Sequence, residues 1–501
     1  MTTDQSLSHS NDERAVFASG SAMIASRAIS AVIGWLGSVT MARTLSPTDW
    51  GVYSFIFALL GLMAVVTDLG IGRAVLGRIT TDNSRDNQLA AGSFIVLRII
   101  MGLIGYAIAF GYSAIIGQPL AVSGLVLFAG IVIILSTPAN ALLVLYQSRL
   151  HLAFVAKWDI IAQVVQLALI LLIAATAPSV AAFIVAPIIR EVIVLVARWR
   201  GIKAGKLPEL APLFSQPTFG WAETLKESIP ISIGYALFHL LTKVDQLMLE
   251  RMIGYEPVGI YAIAYKFSDL LGMTITALAL PFTTVLVTSY GRDHATFTSH
   301  TRRAFVAAAT LSALAVVGFL PTADGLISLL YGTDFASAGL PSRLLIVAAG
   351  FSGVSTVALA VLLAAKKLRG FPVAALIALG VKIALNLDFI PRWGMNGAAV
   401  ATVITEGALM LATLGLVVTQ VKVPRLIPGS ALAQLTIVVA SISYPLLLLT
   451  FGNHLNWIIA GFIAVAFFGL FLWLSKSWPF DSRGGARAAG DDKVRYVDNN
   501  G

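Results

Sequence analysis

The sequence predicts an all-α integral membrane protein with about fourteen transmembrane helices. These fall into two six-helix lobes related by a parallel pseudo-twofold axis, followed by two further helices. Three observations lead there. The composition is 57% hydrophobic and only 12% charged, with a mean hydropathy of +0.86, whereas a soluble domain carries about 25% charged residues. Apolar runs of ~20 residues recur along the chain, each long enough to cross a ~30 Å hydrocarbon core as a helix. A loop pattern after the first run returns after the seventh.

In chain order the predicted spans are 16–42, 52–76, 89–113, 119–146, 153–176, 179–198, 228–250, 256–287, 304–331, 341–364, 371–389, 395–419, 430–451 and 456–475. Pro, Gly, Asn or Ser marks the breaks, as at Pro47, Pro119, Pro178 and Pro391, where the backbone leaves the helix most readily. The implied organisation is a polar tail (1–15), an N-lobe (16–198), a basic linker (199–227), a C-lobe (228–419), two extra helices (430–475) and a second tail (476–501). The first fifteen residues lack a basic n-region before a short apolar core, so no cleaved signal peptide is expected. With no cysteine in the chain, disulfides and thiolate metal sites are excluded.

Loop charge sets the orientation. If the N-terminus lies inside, the even-numbered loops are cytoplasmic, and they carry most of the Lys and Arg, including Arg78, Arg85, Arg149, Lys157, Arg292, Arg302, Lys366, Arg369 and Lys422. The C-terminal tail, with Arg483, Arg487 and Lys493, falls on the same side. Both termini are therefore expected in the cytoplasm. The net charge of +9 reflects this retention rather than nucleic-acid binding, and no nucleic-acid partner is expected.

The internal echo is specific. Arg43, Gly51 and Tyr53 recur as Arg251, Gly259 and Tyr261, each 208 residues on (251 − 43 = 259 − 51 = 261 − 53 = 208). A looser echo sets Glu191 in the sixth span against Glu406 in the twelfth. Six spans per repeat is an even number, so both copies enter the membrane in the same direction, a known transporter plan.

Residues 42–54 (ARTLSPTDWGVYS), 67–72 (TDLGIG), 244–249 (VDQLML), 259–264 (GIYAIA) and 397–402 (GAAVAT) together resemble polysaccharide flippases of the multidrug/oligosaccharidyl-lipid/polysaccharide exporter superfamily. The resemblance runs in order along nearly the whole chain, although each motif alone is mostly Gly and aliphatic. It implies a V-shaped pair of six-helix lobes around a central cavity. It also implies an activity: moving undecaprenyl-pyrophosphate-linked oligosaccharide from the inner to the outer leaflet of the bacterial cytoplasmic membrane, for exopolysaccharide or O-antigen-type synthesis. The partners implied are the lipid-linked oligosaccharide, membrane lipids, and the polysaccharide polymerase and chain-length machinery.

Ionisable residues deep in a membrane helix cost about 3 kcal/mol on insertion scales, so they line cavities or find partners. The cations so placed are Arg27, Arg98, Arg190, Lys243, Lys266 and Lys382, and the acids are Asp68, Glu191, Asp245 and Glu406. Guanidinium forks and ammonium groups suit pyrophosphate oxygens. Arg27, Arg98, Lys266 and Lys382 stand first as substrate contacts, because none has an acid at i±1. Lys266 is the weakest of them, having Asp269 at i+3. The competing role for each is an ion pair to a neighbouring helix. Asp245, Glu191, Glu406 and Asp68 are candidates for ion coupling, a buried acid being able to bind and release a proton. Arg190 neighbours Glu191 but points ~100° around the helix, so mutual neutralisation is not assured.

Pro138, Pro187, Pro230, Pro281 and Pro445 permit helix kinks. Trp35, Trp50, Trp158, Trp199, Trp393, Trp457 and Trp473 read as an interfacial belt, and the six histidines, His239 among them, as scattered and mostly in loops. No Walker loop, metal-ligand spacing or cofactor motif occurs, so neither enzymatic activity nor a cofactor is expected. The alternatives are a cation-coupled multidrug exporter, a peptidoglycan-precursor flippase, and a membrane polysaccharide polymerase or ligase.

Overall fold

The computed structural model describes Met23 and residues 26–68, 71, 72, 75, 79, 84–421 and 457–474. The predicted thirteenth span, Pro445 and both polar tails lie outside them. The described elements are helices and turns, with no strand among them. They are α1 (26–44), α2 (Pro47–Asp68), α3 (Ser84–Ile115), α4 (Leu120–Ser148), α5 (Leu152–Thr176), α6 (Val180–Lys203), α7 (Trp221–Ile253), α8 (Tyr255–Ser289), α9 (His294–Phe319), α10 (Ala323–Tyr331), α11 (Gly339–Ala364), α12 (Phe371–Leu416) and α13 (Trp457–Leu474). Among the described residues, eight helical stretches are long and apolar enough to cross a membrane.

Two compact units result, Met1–Ala262 and Ile263–Gly501. The division falls inside α8, so the opening turns of that helix belong with the first unit. The basic segment 199–227 is not the boundary. Its first residues extend α6 to Lys203, where Arg200 and Lys203 in the last turn complement the helix dipole. Its last residues open α7 at Trp221.

Between them, residues 204–220 form a strap laid against the first unit. Leu213 N donates to Gln88 O (3.0 Å) and Gln88 Nε2 to Pro208 O (3.2 Å). Ser93 Oγ donates to Phe219 O at 2.8 Å, and Arg149 pairs with Glu209 at 3.2 Å. Leu207 and Leu210, 2% and 0% exposed, join a core of Phe94, Leu145, Tyr146, Val155 and Ile202. Each contributes about 2 kcal/mol by leaving water.

The helices α4, α5 and α6 are tied together by Arg198. Its Nη1 donates to Ala139 O at 2.7 Å and its Nη2 meets Asp159 Oδ1 at 2.7 Å, while Tyr146 Oη donates to the Arg198 carbonyl at 2.9 Å. At the other end of the unit α2 meets the start of α8 backbone to backbone. A Cβ on Gly51 would lie 1.9 Å from Tyr255 O, and one on Gly259 would lie 2.3 Å from Pro47 O. Only glycine allows that approach. Trp50 does not sit in an interfacial belt: it is 2% exposed and stacks on Tyr53 at 5.5 Å, because this crossing covers it. Trp393 is half exposed and packs against Phe389.

In the second unit α9 and α11 share a core that includes Ile275, Phe305, Val316, Val357 and Leu362. The helix α13 packs on α9 through Val317, Ala464, Phe468 and Leu472. The predicted span 304–331 is two helices, because Pro321 lacks an N–H and bars its predecessor from the helical region. Arg343 closes that break, its Nε bonding Leu320 O (2.9 Å) and its Nη2 meeting Asp324 (2.7 Å). The helix α12 reverses at Gly394, which has φ 57°. A Cβ on Gly397 would lie 2.2 Å from Phe389 O, so residues 371–393 and 395–416 form a tight hairpin.

Candidate functional site

In the first unit, polar side chains from the end of α2 and the middle of α3 and α7 come together. Arg98 lies 14 residues into α3 (98 − 84), about 21 Å along the axis. Its Nη1 meets Asp68 Oδ1 at 2.6 Å and donates to Thr67 O at 3.3 Å. The two ends differ: the Arg98 side chain is 4% exposed and that of Asp68 56%. The guanidinium is therefore held inside the unit while the carboxylate lies at its surface. From α7, His239 and Lys243 share a face, four residues apart, and the charges of both Lys243 and Asp68 act on the His239 ring. His239 is exposed and Lys243 partly exposed. Arg27 on α1 is also exposed.

The arrangement is a polar patch in an apolar unit, with Asp68 paired to Arg98 and the His239 ring within the field of both Asp68 and Lys243. Asp68→Asn is expected to destabilise the protein more than Arg98→Gln, since it strands a buried guanidinium, a loss of about 3–5 kcal/mol. Thermal unfolding of the two variants in detergent checks this, and equal midpoints would refute it.

Other predicted residues are placed differently. Arg190 and Glu191 form a direct ion pair, and Arg190 Nε also donates to Gln163 at 3.1 Å. The ~100° offset along the helix does not keep them apart, because the flexible arginine arm spans it. Asp245 is fully buried and accepts from Tyr261 Oη at 2.9 Å.

In the second unit Lys266 is partly exposed, whereas Lys382 is fully buried and Glu406 is 4% exposed. Lys382 and Glu406 each lie twelve residues from the bend at Gly394 (394 − 382 = 406 − 394 = 12), and buried Asn386 and Thr402 each lie eight from it. Among the described residues, no group of three His, Cys, Asp or Glu is arranged to hold a metal ion.

Sequence reasoning missed three residues. His239 is no loop histidine, and its position four before Lys243 inside an apolar span was the available signal. Arg198, the last residue of the sixth predicted span, gave no sign of its partners Asp159 and Ala139 on other helices. Glu250, at the end of α7, is only 8% exposed and had no distinguishing signal, since helix ends commonly carry acids.

A family model described as polysaccharide biosynthesis protein matches residues 40–339. The probable flippase AglR of Haloferax volcanii is 24% identical over 415 residues, 78% of this chain and 80% of that one. The solved structure of the lipid II flippase MurJ in an inward closed conformation superposes with a TM-score of 0.70, covering 91% of this chain and 99% of that one at 15% identity. The MATE multidrug transporter DinF-BH gives 0.61 over 82% and 96%, also at 15% identity. These two share the fold, that of all-α membrane transporters. With a family model matched across more than half its length and a fold of membrane-spanning helices, the chain belongs to the polysaccharide biosynthesis protein family and is a multi-pass membrane protein.

Proposed function

We propose that the protein is a flippase that carries undecaprenyl-pyrophosphate-linked oligosaccharide from the inner to the outer leaflet of the bacterial cytoplasmic membrane by alternating access. The observation that carries this is the patch of Asp68, Arg98, His239 and Lys243. A pyrophosphate needs cationic donors, and Lys243, partly exposed beside His239, is the one this patch offers, while Arg27 and Lys266 are further cations assigned to the substrate from their place in apolar spans. Of the four candidate acids Asp68 has the exposed carboxylate, so ion exchange with the cavity is assigned to it. The membrane polymerase and chain-length machinery consume the product in the outer leaflet.

The pseudo-twofold plan has its own support. The contacts of Gly51 with Tyr255 and of Gly259 with Pro47 exchange under the 208-residue shift (255 − 47 = 259 − 51 = 208), the self-complementary pattern of a twofold axis. Glu191 lies twelve residues past Ser179, the N-cap of α6 (191 − 179), as Glu406 lies twelve past Gly394. The loop pairings sort the connections onto two faces, and loop charge assigns the basic face to the cytoplasm. Gln88, Arg149 and the strap join even-numbered loops on one face, and Gln118 joins the seventh loop on the other.

The test is complementation of a strain lacking its own flippase, with a labelled lipid-linked repeat unit scored in the outer leaflet. Wild type restores labelling, and Lys243→Ala and Arg27→Ala each lower the rate roughly tenfold or more at matched expression, since a charged hydrogen bond is worth about 1.5–3 kcal/mol. Export of a cationic drug without movement of lipid-linked sugar would transfer the protein to the multidrug branch.

A further inference from the structure

At the outer end of the first unit, three elements are clasped through one acid that the transport patch does not use. Glu250, in the last turn of α7, accepts from Gln118 Nε2 at 2.7 Å across the connection between α3 and α4. Tyr255, the first residue of α8, donates its hydroxyl to the same Gln118 side chain. The Tyr255 ring sets its edge against Phe55 of α2 at 5.8 Å, and its carbonyl is the atom against which Gly51 packs. Glu250, Gln118 and Tyr255 thus tie the ends of α2, α3, α7 and α8 together, and α8 cannot leave α2 without breaking the tie.

The acid within this clasp is incompletely satisfied. Glu250 is 92% buried (8% exposed). Its Oε2 is out of water with no well-directed hydrogen bond among the described residues, while Oε1 accepts from Gln118 and the Tyr255 hydroxyl also lies within hydrogen-bonding reach of the carboxyl. The titratable or charged groups that face it are Tyr112 from α3, Arg251 beside it on α7, and Tyr255 from α8. Arg251 is itself exposed, so its charge is shared with solvent. An ionised carboxylate with one oxygen buried and without a well-directed donor is disfavoured against its neutral form, whereas the same group released into water ionises freely.

We propose that Glu250 is a proton-binding site that locks the outer end of the transporter: it holds a proton while the clasp is shut and gives it to the outer solution when the clasp opens. The exchange is a simple one, in which hydronium outside supplies the proton on closing and water takes it on opening. Because the proton binds one state better than the other, it shifts the equilibrium toward that state. An acidic exterior therefore drives closing, the step that returns an emptied carrier to its starting state. This function of the lock rests on the alternating-access proposal; the clasp itself does not.

The chain has no cysteine, so spin labels on Thr48→Cys and Glu256→Cys, both exposed positions flanking the crossing, report opening directly without substrate. In lipid nanodiscs the short-distance population of the wild-type background rises at least about threefold between about pH 8 and about pH 5, the range open to a buried carboxyl. Glu250→Gln, which keeps the Gln118 contact and mimics the protonated acid, stays in the short-distance state at both pH values. Glu250→Ala also loses the pH response but with less of the short-distance state. A wild type with no pH response, or either variant retaining the full response, overturns the proposal. If flipping fails in the complementation strain while this response persists, the substrate assignment falls and the lock stands. Normal flipping with a flat response means the reverse: the lock falls and the substrate assignment stands.

Discussion

Gly51→Val is expected to prise α2 from the start of α8. The obstacle is main chain: a Cβ at this position would lie 1.9 Å from the Tyr255 carbonyl oxygen and 2.6 Å from its carbon. No rotamer change relieves a clash with backbone. Overpacking of a close contact costs about 1–3 kcal/mol, and here the upper part of that range applies. A shift of about 2–3 kcal/mol corresponds to roughly 30- to 150-fold in the population of the joined state. Labels at Thr48 and Glu256 move apart, and flipping falls with them because one of the two alternating states is lost. Gly61→Ala, in the same helix with open space where its Cβ would be, is the control and leaves both readouts unchanged. A Gly51→Val protein with wild-type distances would show that the crossing tolerates separation and has no part in the cycle.

Arg198→Ala is expected to lower stability by about 3–5 kcal/mol, the cost of removing one member of a buried pair. Arg198 is 4% exposed and is bonded to both Asp159 and the Ala139 carbonyl, so its loss leaves a partly buried carboxylate and a buried carbonyl without their donor on two other helices. Asp159→Asn produces a comparable loss by stranding the guanidinium. The double change Arg198→Met with Asp159→Leu recovers a large part, because replacing both ends by apolar groups removes the desolvation penalty together with the attraction. Thermal unfolding in detergent reads all three. An unchanged midpoint for Arg198→Ala would mean that the pair contributes nothing to holding α4, α5 and α6.

The all-α membrane-spanning class was written plainly in the sequence, because a membrane span is a composition held over ~20 residues and survives errors at its ends. The pair Gly51 and Gly259 was legible as an echo, yet its meaning was not: a 208-residue spacing shows repetition, and only the fold brings the two residues together. Partnership between charges was hidden for the same reason. Arg98 and Asp68 lie thirty positions apart, and the absence of an acid at i±1 said nothing about a neighbouring helix. Exposure was hidden too. Lys243 and Lys382 looked alike in apolar runs, but one is partly exposed and the other is sealed inside the second unit. The strap misled through composition, since its lysines read as a solvated linker. In the fold Lys203 lies over Trp199 at 5.7 Å and Lys206 over Phe154 at 5.0 Å, while Leu207 and Leu210 just after them fill a core.

The hairpin of α12 bears on how the chain is made. Each charge near the centre of a span costs the translocon about 3 kcal/mol, and the arm carrying Lys382 would bear that cost alone if it entered by itself. Equal spacing of Lys382 and Glu406 about Gly394 brings opposite charges to one depth when both arms enter as a unit. Insertion then need not await the remaining helices, and the ribosome has only to complete the second arm before the first is committed to lipid.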